Sequence, residues 1–185
     1  MNNGSATSPS KSSSNQEPAA GLNAAVPAQD LWQRAWNYYQ AGDYAASLPL
    51  LQAGAAQGNF DCLETLAYLY DNGLGVQTDH LEAANWYRKA GELGDVKAMT
   101  ELADRYQKGF FDIQANQAEA LRWFREAAEK GDGESMFRLG QFYENGDMGL
   151  PRDPDEAVRW YRKASLSNAN FVPDWARDAL KRLGK

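Results

Sequence analysis

Three tryptophans, Trp86, Trp123 and Trp160, stand 37 residues apart, and each sits second in the same run: NWYRKAGELGD at 85–95, RWFREAAEKGD at 122–132 and RWYRKASLSNA at 159–169. A catalytic constellation is needed once per substrate, whereas a stacking unit that cannot bury its own apolar face has to be repeated. The interval therefore constrains the fold before it says anything of function. A second matching block precedes each run, LAYLYDNG at 66–73, LADRYQKG at 102–109 and LGQFYENG at 139–146, so each repeat holds two helices.

Spacing within the blocks says which face packs. Leu66, Tyr70 and Gly73 fall at i, i+4 and i+7, as do Leu139, Tyr143 and Gly146, with the glycine placed to end the helix in a left-handed conformation. In the second block Ala83, Tyr87 and Ala90, then Ala120, Phe124 and Ala127, then Ala157, Tyr161 and Ala164 put small, large, small on one stripe, which lets helices approach closely. Asp79, Asn116 and Asp153 precede the second helices as caps for free backbone N–H groups. Gly94 and Gly131 close them, and Asn168 is expected to supply the same backbone shape in the last repeat.

A shorter unit, AWNYYQAGDYAASLPLLQAGAAQG at 35–58, has the same order without the inter-helix insert and reads as the first repeat. Pro49 falls in its second helix, where an interior proline costs about 3 kcal/mol unless the helix starts late or kinks. At the far end PDWARDALKRLG, 173–184, forms one amphipathic helix with no partner and serves as a cap. Residues 1–29 are rich in Ser, Asn, Gly, Pro and Ala and are expected to be a disordered leader to a repeat domain at 30–185. That leader reads equally as a plain cytoplasmic tail or as the tether of a trimmed, lipid-anchored periplasmic protein, because no apolar stretch of membrane length and no signal-peptide pattern stands in the sequence.

The pattern L-G-x-x-Y-x-x-G, G-x-G-V-x-x-D and A-x-x-W-Y-x-K-A with a closing Gly resembles the Sel1-like repeat, a relative of the tetratricopeptide repeat. Residues 59–168 carry it in three copies; GLGVQTD at 73–79 and GDMGLPRD at 146–153 keep the loop, whereas GFFDIQAN at 109–116 loses its second glycine. The resemblance implies an all-α, right-handed α-solenoid of about four helix-turn-helix repeats plus the capping helix. It also implies a non-catalytic scaffold or adaptor for another protein or peptide, in bacteria often in cell-envelope assemblies. Some cysteine-rich members are linked to cell-wall chemistry, and a chain whose single cysteine is Cys62 departs from that branch. A cell-envelope factor that binds glycan, or has weak cell-wall hydrolase activity, is the alternative.

The residues carry little catalytic chemistry. One histidine, His80, builds neither a zinc site nor a triad and is expected to be solvated or to help cap its helix. Cys62 aligns with Ala98 and Ser135, the small residues of that helix position, and reads as a packing site. Asp61 and Glu64 share a helical face as a glycosidase pair would, but nothing apolar surrounds them in sequence to raise one pKa. No cofactor or metal is implied, and a net charge of −6 speaks against nucleic acid. The repeated tryptophans read as core, since burying about 150–250 Å² each contributes roughly 4–6 kcal/mol before entropy. Phe110 and Phe111 either plug the gap between repeats or stand out as an anchor.

By the resemblance, first helices line the concave side. The inward stripe then holds Asn37 with Gln33 and Gln40; Asp61, Glu64, Tyr68 and Asp71; Lys97, Asp104 and Gln107 with Thr100; and Glu134, Phe137, Gln141 and Glu144. Six carboxylates against one lysine make this an acidic groove, while Arg88, Lys89, Arg122, Arg125, Arg159, Arg162 and Lys163 face outward. A basic or polar segment of a protein partner suits such a groove.

Overall fold

The computed structural model describes residues 26–185, and among them the only regular elements are nine helices. These are α1 (Ala28–Gln40), α2 (Tyr44–Ala56), α3 (Phe60–Asn72), α4 (His80–Leu93), α5 (Val96–Lys108), α6 (Gln117–Glu129), α7 (Gly133–Asn145), α8 (Pro154–Ala164) and α9 (Val172–Arg182). Consecutive helices pair as α1/α2, α3/α4, α5/α6 and α7/α8, each hairpin packs on the next, and α9 closes the stack against α8 and α7. This is the right-handed α-solenoid of four hairpins and a cap. No described helix is long and apolar enough to cross a membrane. The leader expected over 1–29 lies outside the described residues up to residue 25, and α1 begins at Ala28.

Each helix from α2 to α8 starts on an Asp or Asn whose side chain accepts a backbone N–H. Asp43, Asn59, Asp95 and Asp132 do so in α2, α3, α5 and α7, and Asp79, Asn116 and Asp153 do so in α4, α6 and α8. Gly73 and Gly146 end α3 and α7 at φ 64 and 80, a conformation in which a Cβ would crowd the next carbonyl. Asn168 does not take that shape: α8 stops at Ala164, and the positive φ falls on Phe171, ahead of α9. Pro49 lies inside α2, which neither starts late nor stops there. Burial of Ser47, Leu50 and Leu51 on both sides of it compensates the one lost backbone hydrogen bond.

Packing follows the small, large, small stripes. Ala83, Ala90, Ala120, Ala127, Ala157 and Ala164 are all buried, and so are Phe124 and Tyr161 between them. Cys62, Ala98 and Ser135 occupy the one equivalent buried position, and burial pushes the Cys62 thiol up to about 12. Gly54 presses on it, for a Cβ there would come 2.4 Å from the Cys62 sulfur. Of the repeated tryptophans Trp123 is fully buried, against Gly91, while Trp86 and Trp160 are partly covered with Lys89 and Lys163 over their rings at 3.7 and 4.1 Å.

Gly140 shows how tight the hairpin contact is. A Cβ there would fall 2.5 Å from the Tyr161 ring, whereas the same register in the two preceding repeats holds Ala67 and Ala103. Gly140→Ala is therefore expected to cost about 1–3 kcal/mol through overpacking, despite the better helix propensity of alanine. Urea unfolding measures it, and an unchanged or raised midpoint would show that the ring has room to move.

Candidate functional site

The first helices share a face, and on it the charges are arranged as bridges between repeats. Arg105 of α5 reaches back to α3, its Nη1 and Nη2 donating to Asp71 Oδ1 and Oδ2 at 3.1 and 2.6 Å, and also holds Glu101 within its own helix. Its guanidinium lies over the rings of Tyr87 and Phe110, and its side chain is only 6% exposed. Arg138 of α7 repeats the reach to Asp104 of α5 and holds Glu134 at 2.7 Å. Arg182 of α9 donates to both carboxylate oxygens of Glu144, which also accepts from the Tyr161 hydroxyl at 2.7 Å. A second rung joins second helices to the next repeat, Arg88 to the Tyr106 hydroxyl and Arg125 to the Tyr143 hydroxyl.

The carboxylates of the acidic stripe are thus largely matched by cations from the neighbouring repeat. Counting the stripe as six carboxylates against Lys97 omits Arg105, Arg138 and Arg182, which hold Asp71, Asp104, Glu134 and Glu144. Asp71 has a structural role, partly buried between Arg105 and His80. His80 is not solvated: its Nδ1 lies 3.1 Å from Asp71 Oδ1, and its ring stacks on Phe111 at 3.9 Å. Phe110 packs inward under Arg105, as a plug between repeats would, while Phe111, at φ 47, is 76% exposed above His80.

Between α1, α3 and α5 the same face opens into a cavity of about 230 Å³ lined by Trp36, Tyr39, Glu64, Thr65, Tyr68, Tyr87, Lys97 and Glu101. Trp36 and Tyr39 stack at 4.9 Å, and Tyr39 meets Tyr68 at 6.4 Å. Glu64 and Lys97 form a hydrogen-bonded ion pair across the α3–α5 boundary. Burial holds the Glu64 carboxyl above the ordinary carboxylate value although Lys97 pulls the other way, and the bond to Glu64 raises Lys97 in turn. Burial likewise pushes Tyr87 up to about 12.

Of the sequence-derived stripe, Glu64, Tyr68 and Lys97 meet in this cavity. Asn37 does not line it and hydrogen-bonds Gln33 instead; Asp61 and Gln141 stand exposed beside it on α3 and farther along on α7. Gln107 buries its Oε1 without a protein partner. Phe137 joins Tyr161 and Trp175 at the far end of the face, beside the exposed Phe171. On α1 the cavity is lined not by Gln33, Asn37 or Gln40 but by Trp36 and Tyr39, one position earlier on the helix, while Trp32 packs on the core.

The family model for the Sel1 repeat matches residues 65–95, 96–132 and 133–168. Among solved structures, c5321, a protective antigen present in uropathogenic Escherichia coli strains with an SLR fold, superposes at a TM-score of 0.68 with 28% identity, covering 84% of this chain. A Sel1 repeat protein from Oxalobacter formigenes superposes at 0.63 with 33% identity over 76% of this chain. The chain spans 34% and 57% of the lengths of these two relatives. No curated protein gives a significant match.

The buried bridge yields a stability test. Arg105→Ala leaves Asp71 with only His80 beside it and is expected to cost about 3–5 kcal/mol in urea unfolding. Arg105→Met with Asp71→Asn should recover much of that. A loss under about 1 kcal/mol in the single variant would mean that the pair behaves as a surface ion pair.

Proposed function

Because the chain belongs to the Sel1-repeat family, whose members generally act as non-catalytic protein-interaction scaffolds, we propose that its first-helix face is a concave groove that receives a segment of a protein partner. The observation that carries this reading is the cavity walled by Trp36, Tyr39 and Tyr68 over the Glu64–Lys97 pair. Along the middle of the face most charges are paired between repeats, and here Tyr68 remains 47% exposed beside polar groups at the cavity wall. Aromatic rings with a few polar groups around them are what a binding hot spot is made of. At about 230 Å³ the cavity is below the roughly 300–1,000 Å³ of pockets that enclose a whole small molecule, and suits one side chain of a longer segment.

The partner segment is basic or polar, since the partly buried Glu64 carboxylate at the cavity wall is met only by the exposed Lys97. The Phe137 and Trp175 rings at the far end extend the same surface for an apolar side chain. A glycan would stack on the same rings, but it also needs polar groups free to pair with hydroxyls. Glu64 is engaged by Lys97 and Glu101 by Arg105, which favours the peptide.

A photo-crosslinking amino acid at Tyr68, in the source cell, is expected to capture a defined protein, and one at the outward Glu129 is not. Tyr68→Ala combined with Glu64→Lys should abolish co-purification of that protein. Equal capture from both positions, or co-purification unaffected by the double variant, would move the interface elsewhere; enrichment of peptidoglycan fragments in place of protein would favour the glycan reading.

A further inference from the structure

Lys97 is oddly placed for a structural residue. Its side chain is 78% exposed, yet it closes on Glu64, whose carboxylate is only 23% exposed at the wall of the aromatic cavity. The other inter-repeat carboxylates are bound by arginines, and the most buried of these bridges is bidentate, with Arg105 at 6% exposure. A lysine makes a point contact on a flexible stem and loses more freedom for each bond it forms. Nothing but Glu64 accepts a hydrogen bond from the Lys97 ammonium among the described contacts, so this bridge is the one built to open.

When Lys97 swings away, it leaves a partly buried carboxylate and the rings of Trp36, Tyr39 and Tyr68 around a space sized for one side chain, with Glu101, held by Arg105, at its edge. A cation over aromatic faces and against a desolvated carboxylate is favoured on both counts, by the ring quadrupoles and by charge. Resting on the scaffold reading, we propose that this cavity is a subsite for a single lysine or arginine side chain of the partner segment, and that Lys97 engages its Glu64 carboxylate in the free protein as an internal competitor. Burial keeps the Glu64 carboxyl above its ordinary pKa even with Lys97 in place, so the resident cation does not fully compensate the site.

Substitutions at the two neighbouring residues Lys97 and Glu64 should act with opposite signs. In an NMR titration, Nα-acetyl-arginine methylamide is expected to shift the Trp36 indole and Tyr68 ring resonances saturably, with its neutral isostere, the citrulline analogue, binding about three- to tenfold more weakly. Lys97→Met should tighten arginine binding by about threefold or more, and Glu64→Gln should weaken it by a similar factor. The lysine and norleucine methylamides should follow the same order. Arginine and citrulline binding equally, Lys97→Met weakening or leaving the affinity unchanged, or no shift at Trp36 and Tyr68 would each overturn the subsite. If arginine binds as described while the Tyr68 crosslinker captures no protein, the subsite stands and the scaffold reading falls; a captured partner with no arginine response does the reverse.

Discussion

Everything in this molecule depends on a large ring of one helix settling against a small residue of the other within each hairpin. Tyr87, Phe124 and Tyr161 fall in register opposite Ala67, Ala103 and Gly140, and Gly140 leaves no room for even one added carbon beside the Tyr161 ring. With the hairpins held this close, small residues at the next boundary, such as Gly54 against Cys62 and Gly91 against Trp123, bring successive repeats into contact. Each repeat buries its apolar stripe only by being stacked, which is why α9 is needed where the stack ends.

Stacking also sets the electrostatics of the first-helix face. Because successive first helices lie side by side, an arginine on one reaches a carboxylate on the one before, as Arg105 does to Asp71 and Arg138 to Asp104. These bridges consume most of the face's acidic character and leave it close to balanced over its middle. Between α1, α3 and α5 the rings of Trp36, Tyr39 and Tyr68 line a cavity, and the bridging cation there is an exposed lysine in place of an arginine.

The fold was readable because its information is repeated in a single chain: the 37-residue interval, the Asp and Asn caps and the alternation of alanine with aromatic residues all say the same thing. Of the candidate face, the sequence made legible the helical phase that the repeat fixes, and that phase brings Glu64, Tyr68 and Lys97 to one cavity. Arg105 breaks the repeat, standing where the neighbouring units have Leu69 and Phe142, so its bridge to Asp71 has no periodic signature. Trp36 and Tyr39 belong to the shortened first unit, where the helical phase has no flanking copy to fix it, and one residue of phase error turns a helix face by about 100°. His80 looked solvated because the ring that covers it, Phe111, lies in the irregular insert.

The claim that rings are sealed between stacked hairpins is tested most directly by hydrogen exchange at the tryptophan indoles, followed by NMR. Trp123 is fully buried, with its Nε1–H away from solvent, and Trp175 is half exposed on the cap. The account predicts that the Trp123 indole proton exchanges only through global unfolding, slower by orders of magnitude than that of Trp175. Comparable, fast exchange at both would contradict it.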